Sequence, residues 1–312
     1  MNPADLQCAG LVCRRWLDAS TYRKFANYFF LNFTERYSNN FSVPIHSFSK
    51  CKRIFSSICL SNAQVTDYAS EDFFIYYGDN LREIIFNSGL LRKDEFINVV
   101  KYTKNLEKLA IEENSMFKSW EFNHCSFERR VLLMNCKEVG LAGNTYLNKD
   151  IINFILSTAP NLTTLDLSNC FHTMSSLERN KLLDYILAYL RIRAHNIKSL
   201  NFASTVTDDY FLDNLAQVQN LELLELHLTF IGSTKNFNFG ITNLIASQPT
   251  LEYFDLTASP SVNDYVVTEI AKYMPNLKKL QLKKCHNLTN HGVKQIAKLI
   301  HLQVSWSDIL IF

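Results

Sequence analysis

Glu225 and Asp255 are the side chains whose placement first suggests chemistry. They hold the same place in two copies of one phrase, NLELLEL (220–226) and TLEYFDL (250–256). Leu223 and Tyr253 stand two residues before them, and His227 and Thr257 two residues after. As adjacent strands about 4.8 Å apart, the two phrases would set the carboxylates side by side as like charges, next to an exposed aliphatic and aromatic pair. Such a patch suits capture of a protein segment carrying a basic residue, held against Glu225 and Asp255 and anchored on Tyr253. The same pattern also fits an ordinary solvated strand face.

Catalytic chemistry finds no comparable anchor. The sequence has no G-x-S-x-G or H-E-x-x-H motif, and its eight glycines build no phosphate-cradling loop. His286 and His291 are five residues apart in a turn, a poor spacing for a metal site. Cysteines at 8, 13, 51, 59, 125, 136, 170 and 285 form no C-x-x-C pair. They sit mostly among apolar residues, where a free thiol acts as a small hydrophobe. A reducing compartment, cytoplasmic and/or nuclear, is the expectation. No catalytic residue, metal or other cofactor is expected, and the chain reads as a non-enzyme. Lys278, Lys279, Lys283 and Lys284 form a basic C-terminal edge that keeps the last strands soluble or receives an acidic segment.

A net charge of +2 lacks the basic footprint of a dedicated nucleic-acid binder. Apolar clusters such as FANYFFLNF (25–33) are too short and too polar to span a bilayer. Neither nucleic acid nor membrane is therefore an expected partner. No secretory leader pattern opens the sequence. With 47% hydrophobic residues over 312 positions, the chain can bury a large core.

The elements that must carry Glu225 and Asp255 follow from repetition. NLEKLAI (105–111), NLTTLDL (161–167), NIKSLNF (196–202), NLELLEL, TLEYFDL and NLKKLQL (276–282) share the pattern apolar-x-x-apolar-x-apolar. Weaker copies bring the first apolar positions to Phe55, Leu81, Leu106, Cys136, Leu162, Ile197, Leu221, Leu251, Leu277 and Leu299. Spacings run from 22 to 35 residues, similar to leucine-rich repeats. Within each copy the alternation predicts a short strand with one face inward. The phrases QVTD (64–67), TVTD (205–208), SVNDY (261–265) and NLTNHG (287–292) then offer helix caps. Helical stripes follow at Phe96, Val99, Val100 and Thr103, at Val267, Ile270, Ala271 and Met274, and at Val293, Ile296, Ala297 and Ile300. A long helix is expected in SSLERNKLLDYILAYLRIRAHN (175–196) and an extended loop in TFIGSTKNFNFG (229–240). Asn114, Asn144, Cys170, Thr205, Thr229, Ser259 and Cys285 fall at the ninth position, where they can satisfy loop backbone groups.

The expected fold is thus α/β, a leucine-rich repeat solenoid or horseshoe over residues 46–312. Parallel strands would line its concave face and helices its convex face, in a single cooperative array. WSDILIF (306–312) reads as the cap of its last repeat, ahead of the alternative that the repeats run on past it.

The opening stretch points to a family. DLQCAGLVCRRWLDAS (5–20) resembles the second half of an F-box, whose later portion reads roughly D-L-x(5)-V-C-x-x-W. Asp5, Leu6, Val12, Cys13 and Trp16 fit it, and Pro3 suits the preceding turn. With cysteine-containing repeats behind it, the chain resembles the F-box and leucine-rich repeat proteins. That resemblance makes residues 1–45 a partial F-box and helical connector, and implies a substrate-recognition subunit of a Skp–cullin–F-box ubiquitin ligase. Pro3, Leu6, Leu11, Val12, Cys13 and Trp16 would bind the Skp adaptor, and through it cullin. An unidentified protein substrate would bind at Leu223, Glu225, His227, Tyr253 and Asp255. The family's opening L-P-x-E helix would lie upstream of Met1, so the F-box reads as N-terminally truncated. Two other readings stand beside this one: an N-terminal cap on the first repeat, and a scaffold or inhibitor with no ligase attachment.

Overall fold

The computed structural model describes residues 30–33, 54–61, 68–88, 91–120, 133–171, 174–205, 208–229 and 239–303. They fall into two compact units divided between Leu162 and Thr163. In the first unit, β1 (Phe30–Phe33), β2 (Ser57–Ser61), β3 (Glu83–Asn87), β4 (Lys108–Glu112) and β5 (Glu138–Gly140) pair in sequence order, all parallel. Its helices are α1 (Tyr68–Tyr77), α2 (Lys93–Tyr102) and α3 (Lys149–Thr158). In the second unit, β6 (Thr164–Asp166), β7 (Ser199–Asn201), β8 (Glu225–His227), β9 (Tyr253–Asp255) and β10 (Lys279–Gln281) are again parallel neighbours. Its helices are α4 (Ser176–Arg193), α5 (Asp209–Ala216), α6 (Phe239–Ser247), α7 (Asp264–Tyr273) and α8 (Asn290–Ile296).

Parallel pairing requires a crossover after each strand, which helices supply in the units described in full. The middle residue of each strand phrase points into the core. Ile58, Ile84, Leu109 and Val139 align in one unit, and Leu165, Leu200, Leu226, Phe254 and Leu280 in the other. All are buried. Asn148, Ser175, Asp208, Asn263 and Thr289 cap their helices by accepting a hydrogen bond from the first turn. Asp208, Asn263 and Thr289 belong to the cap phrases, while QVTD (64–67) lies outside the described residues.

After each strand the chain turns at the eighth position of the repeat. Ser88, Glu113, Gly143, Asn169, Ser204, Ala258 and Lys284 all have positive φ there. The left-handed turn aims the amide at the next strand phrase. Ser88, Glu113, Asn169 and Ala258 donate to the seventh-position carbonyls of Glu112, Ala142, Ala203 and Lys283. The ninth residue completes the seam. Asn144 Nδ2 donates to the carbonyls of Ile111 (2.6 Å) and Leu141 (2.7 Å), and its Oδ1 accepts from the Asn114 amide (2.7 Å). Thr205, Ser259 and Cys285 donate to the sixth-position carbonyls of Leu167, Leu228 and Leu256.

The structure departs from the sequence pattern in three places. Residues 30–33, expected in the connector before the repeats, form β1 paired with β2. In β8 the repeat starts at Leu223 rather than Leu221, giving spacings of 26 and 28 residues from Ile197 and to Leu251. A shift by two keeps the same faces inward, so alternation alone does not resolve it. Gln248 resolves it: its buried side chain accepts from the Leu223 amide and donates to the Leu221 carbonyl. Third, α8 ends at Ile296, and Ile300 is 84% exposed instead of completing an inward stripe. The long helix of 175–196 is present as α4. Most of the 229–240 loop and the 306–312 tail lie outside the described residues.

Candidate functional site

In the second unit the outward positions of the strands form two rows. Thr164, Ser199, Glu225, Tyr253 and Lys279 align in one, and Asp166, Asn201, His227, Asp255 and Gln281 in the other. The second row owes its side-chain orientation to local turn chemistry. Asp166, Asn201 and Asp255 each accept, through Oδ1, the amide two residues on, at Ser168 (2.8 Å), Ala203 (2.9 Å) and Thr257 (2.9 Å). Their second polar atom is left to run along the row. Asn201 Nδ2 donates to Asp166 Oδ2 (2.9 Å), and Asp255 Oδ2 lies 3.6 Å from His227 Nδ1. The latter is an ion-pair distance, longer than a good hydrogen bond.

His227 also lies over Tyr253, with ring centroids 4.7 Å apart and planes tilted by 36°. Tyr253 is half-buried and faces Glu225 in register. Glu225 is exposed and accepts from Ser199 Oγ at 3.2 Å. Burial pushes the Asp255 carboxyl up. The His227 side chain and the hydroxyl and amide of Thr257 outweigh that and hold it below its ordinary value. The result is a rigid imidazole and phenol pair between two carboxylates.

Three expectations are corrected. Leu223 is fully buried, because it opens the β8 repeat, and contributes nothing to the surface. Glu225 and Asp255 are not cross-strand neighbours: Glu225 faces Tyr253, and His227 faces Asp255. The expected column Asp166, Asn201, Glu225, Asp255, Gln281 therefore contains His227 in place of Glu225. Glu225, His227, Tyr253 and Asp255 do come together. Leu224, 40% exposed, takes the apolar surface position expected of Leu223. Ser199 and Thr257 are partners of its carboxylates; the repeated Asp-Leu-Ser, Asn-Phe-Ala and Asp-Leu-Thr triplets at 166–168, 201–203 and 255–257 were the signal for Thr257, and no such pattern marks Ser199. Lys278, Lys279, Lys283 and Lys284 are exposed, and Lys278 pairs with Glu252 at 2.7 Å. The adaptor-binding candidates Pro3, Leu6, Leu11, Val12, Cys13 and Trp16 lie outside the described residues.

The thiols of Cys136 and Cys285 are buried and donate to backbone carbonyls. Burial pushes Cys136 up to about 12, which keeps it a neutral packing group. No described helix is long and apolar enough to cross a membrane.

No protein-family model and no curated protein matches the chain. Solved structures do. A chain of the Rad7 and Elc1 complex in yeast superposes with a TM-score of 0.55 at 15% identity, covering 93% of this chain and 78% of that one. An internalin, inlF, from Listeria monocytogenes gives a TM-score of 0.49 at 11% identity, covering 85% of this chain and 71% of that one. Together with the repeating strand, left-handed turn and ninth-position seam, the first likeness establishes the leucine-rich repeat fold.

Proposed function

We propose that this leucine-rich repeat protein is the substrate-recognition subunit of a Skp–cullin–F-box ubiquitin ligase. The observation that carries the reading is the sequence order: a phrase resembling the second half of an F-box stands ahead of the repeat array. The preorganised strand face around His227, Tyr253 and Asp255 supplies the recognition surface such a subunit needs. A structure of similar fold comes from a two-protein complex, Rad7 with Elc1, which is in keeping with assembly on an adaptor. The chain itself carries no catalysis in this scheme. The F-box-like stretch holds the Skp adaptor and through it cullin, the strand face holds a target with a basic residue, and ubiquitin transfer becomes effectively intramolecular.

Co-purification with the Skp adaptor is the test. Val12→Asp with Trp16→Asp should abolish capture of the adaptor while the repeats stay folded. Adaptor capture unchanged in that variant, or absent in the native chain, would reject the reading. A second reading, an interaction scaffold without ligase attachment, is favoured by the strand face itself, whose contacts at Ser199, Glu225, His227, Tyr253, Asp255 and Thr257 are made within the second unit. In the scaffold reading the adaptor is never captured, yet Glu225→Lys with Asp255→Lys still destroys target binding.

A further inference from the structure

The helices of the second unit carry a feature that the strand-face site does not use. The first turn of each helix carries a large exposed residue in four successive cases. Leu177 of α4 is 65% exposed, Tyr210 of α5 61%, Phe239 of α6 64% and Tyr265 of α7 59%. For α4, α5 and α7 the position follows from the caps at Ser175, Asp208 and Asn263. For α6 it follows from a repeated close approach. Gly292, third residue of α8, packs on Asp264 of α7 with no room for a Cβ; Gly240 packs likewise on Asp209 of α5 and donates its amide to Asp209 Oδ1 (3.1 Å). Gly240 therefore corresponds to Gly292, with Phe239, the first residue of α6, just before it. The helices α5, α6 and α7 pack in succession, which sets Tyr210, Phe239 and Tyr265 at corresponding helix ends with neighbouring axes about 8–10 Å apart.

The charge around that row is one-sided. Asp208, Asp209 and Asp264 stand at the same helix ends, with Asp213 one turn further on and Glu269 in α7. No Lys or Arg occurs in α5 or α6. Among the described residues, Lys272 lies over Tyr273 and Arg191 reaches Asn214 at the opposite helix ends; Lys235, four residues before Phe239, lies outside the described residues. The acidic stretch stops where Arg179 and Lys181 begin on α4 and Lys283 and Lys284 precede α8. Asp208 and Asp264 accept hydrogen bonds from the backbone amides of Phe211 and Thr289.

We propose that the α5–α7 row is a second docking surface, and that its occupant is an extended basic segment of another protein with an apolar residue at every third position. The spacing sets this period. A segment in the polyproline II conformation has three residues per turn and advances about 3.1 Å per residue, so every third side chain lies on one side and meets the next ring while the intervening Lys or Arg side chains meet the acidic helix ends. Arginine in particular stacks on Tyr and Phe faces. This surface lies on the helices, and it stands whether or not the chain joins a ligase.

The test uses the full chain and a fluorescein-labelled Leu-Arg-Lys repeat peptide, read by anisotropy. Control peptides replace Leu by Ser, or Arg-Lys by Glu-Asp. Tyr210→Ser, Phe239→Ser and Tyr265→Ser together should weaken the basic peptide on the order of tenfold. Loss of Leu from the peptide should do the same, and the acidic peptide should not bind. Asp213→Asn with Glu269→Gln, which removes two negative charges, should weaken binding and flatten its decline with salt. If the triple variant does not fold, the single changes Tyr210→Ser and Tyr265→Ser carry the test. Unchanged binding in the variants, equal binding of the acidic peptide, or self-association of the chain that the aromatic changes abolish would each overturn the proposal; the last would make a second copy the occupant.

Discussion

Asp255 does two jobs with one carboxyl group. Oδ1 closes the turn after β9 by accepting the Thr257 amide, and Oδ2 faces His227. Both favour the charged form, which is why the carboxyl stays below its ordinary 3.8 despite burial. A folded-state value lower than the unfolded one means stability that is fully present above pH 3.8 and is lost as pH falls through the depressed value. Asp255→Asn should therefore cost about 1–2 kcal/mol near neutral pH, the usual scale for a charged hydrogen-bonding group. Urea denaturation should show that gap between native and variant protein narrowing below pH 3.8. A gap constant down to full unfolding would mean that the turn, not the charge, accounts for the effect. At this scale the site was only partly legible. The residue types of the binding patch were readable, but their contacts depend on register. Leu221, Leu223, Leu224, Leu226 and Leu228 offer two starts that differ by an even shift, and the choice is made by Gln248, a buried side chain from the far end of α6.

The strand-to-helix turn is the element whose energetics the sequence conceals most. Seven repeats place their eighth residue at positive φ, yet only Gly143 among them is glycine. Holding an L-residue there costs roughly 1–2 kcal/mol. The turn is retained because it directs a buried amide to the next repeat's carbonyl, and an unmade bond of that kind costs about 1–3 kcal/mol. The two magnitudes are comparable, so the strain persists. They also predict a gain where the strain alone is removed. Ala258, φ 54°, is half-buried and donates its amide to Lys283 at 2.7 Å. Ala258→Gly keeps that bond and relieves the strain, against a glycine entropy cost of about 0.5–1 kcal/mol. The variant should be more stable by about 0.5–1 kcal/mol in urea or thermal unfolding; a loss of stability would show that the turn is not strained. The strands and most helices were legible because periods of two and 3.6 residues, punctuated by Asn, Asp, Ser and Thr caps, repeat many times. The left-handed turn was not, since Ser, Glu, Asn, Ala and Lys give no common signal for it.

For the molecule as a whole, the repeat pattern predicted one cooperative array, whereas the described residues separate into two compact units between Leu162 and Thr163. A repeat protein gains its stability from each repeat and its nearest neighbours, so damage should fade with distance along the chain. Phe254 gives a clean probe. It is fully buried in the centre of β9, in register with Leu226 and Leu280. Phe254→Ala leaves a cavity and should cost about 3–5 kcal/mol locally. Hydrogen exchange followed by mass spectrometry should then show lost protection in β8, β9, β10 and the helices α6 and α7 packed behind them. Amides of β2, β3 and β4 in the first unit should keep their native protection. If protection instead falls equally in both units, the chain opens only as a whole, and the cooperative array inferred from the repeats is the correct description. The outcome bears on function as well. If damage stays local, the recognition face of the second unit can loosen and reorder around a bound segment while the first unit remains folded, which is the behaviour expected when local opening free energies differ along a chain.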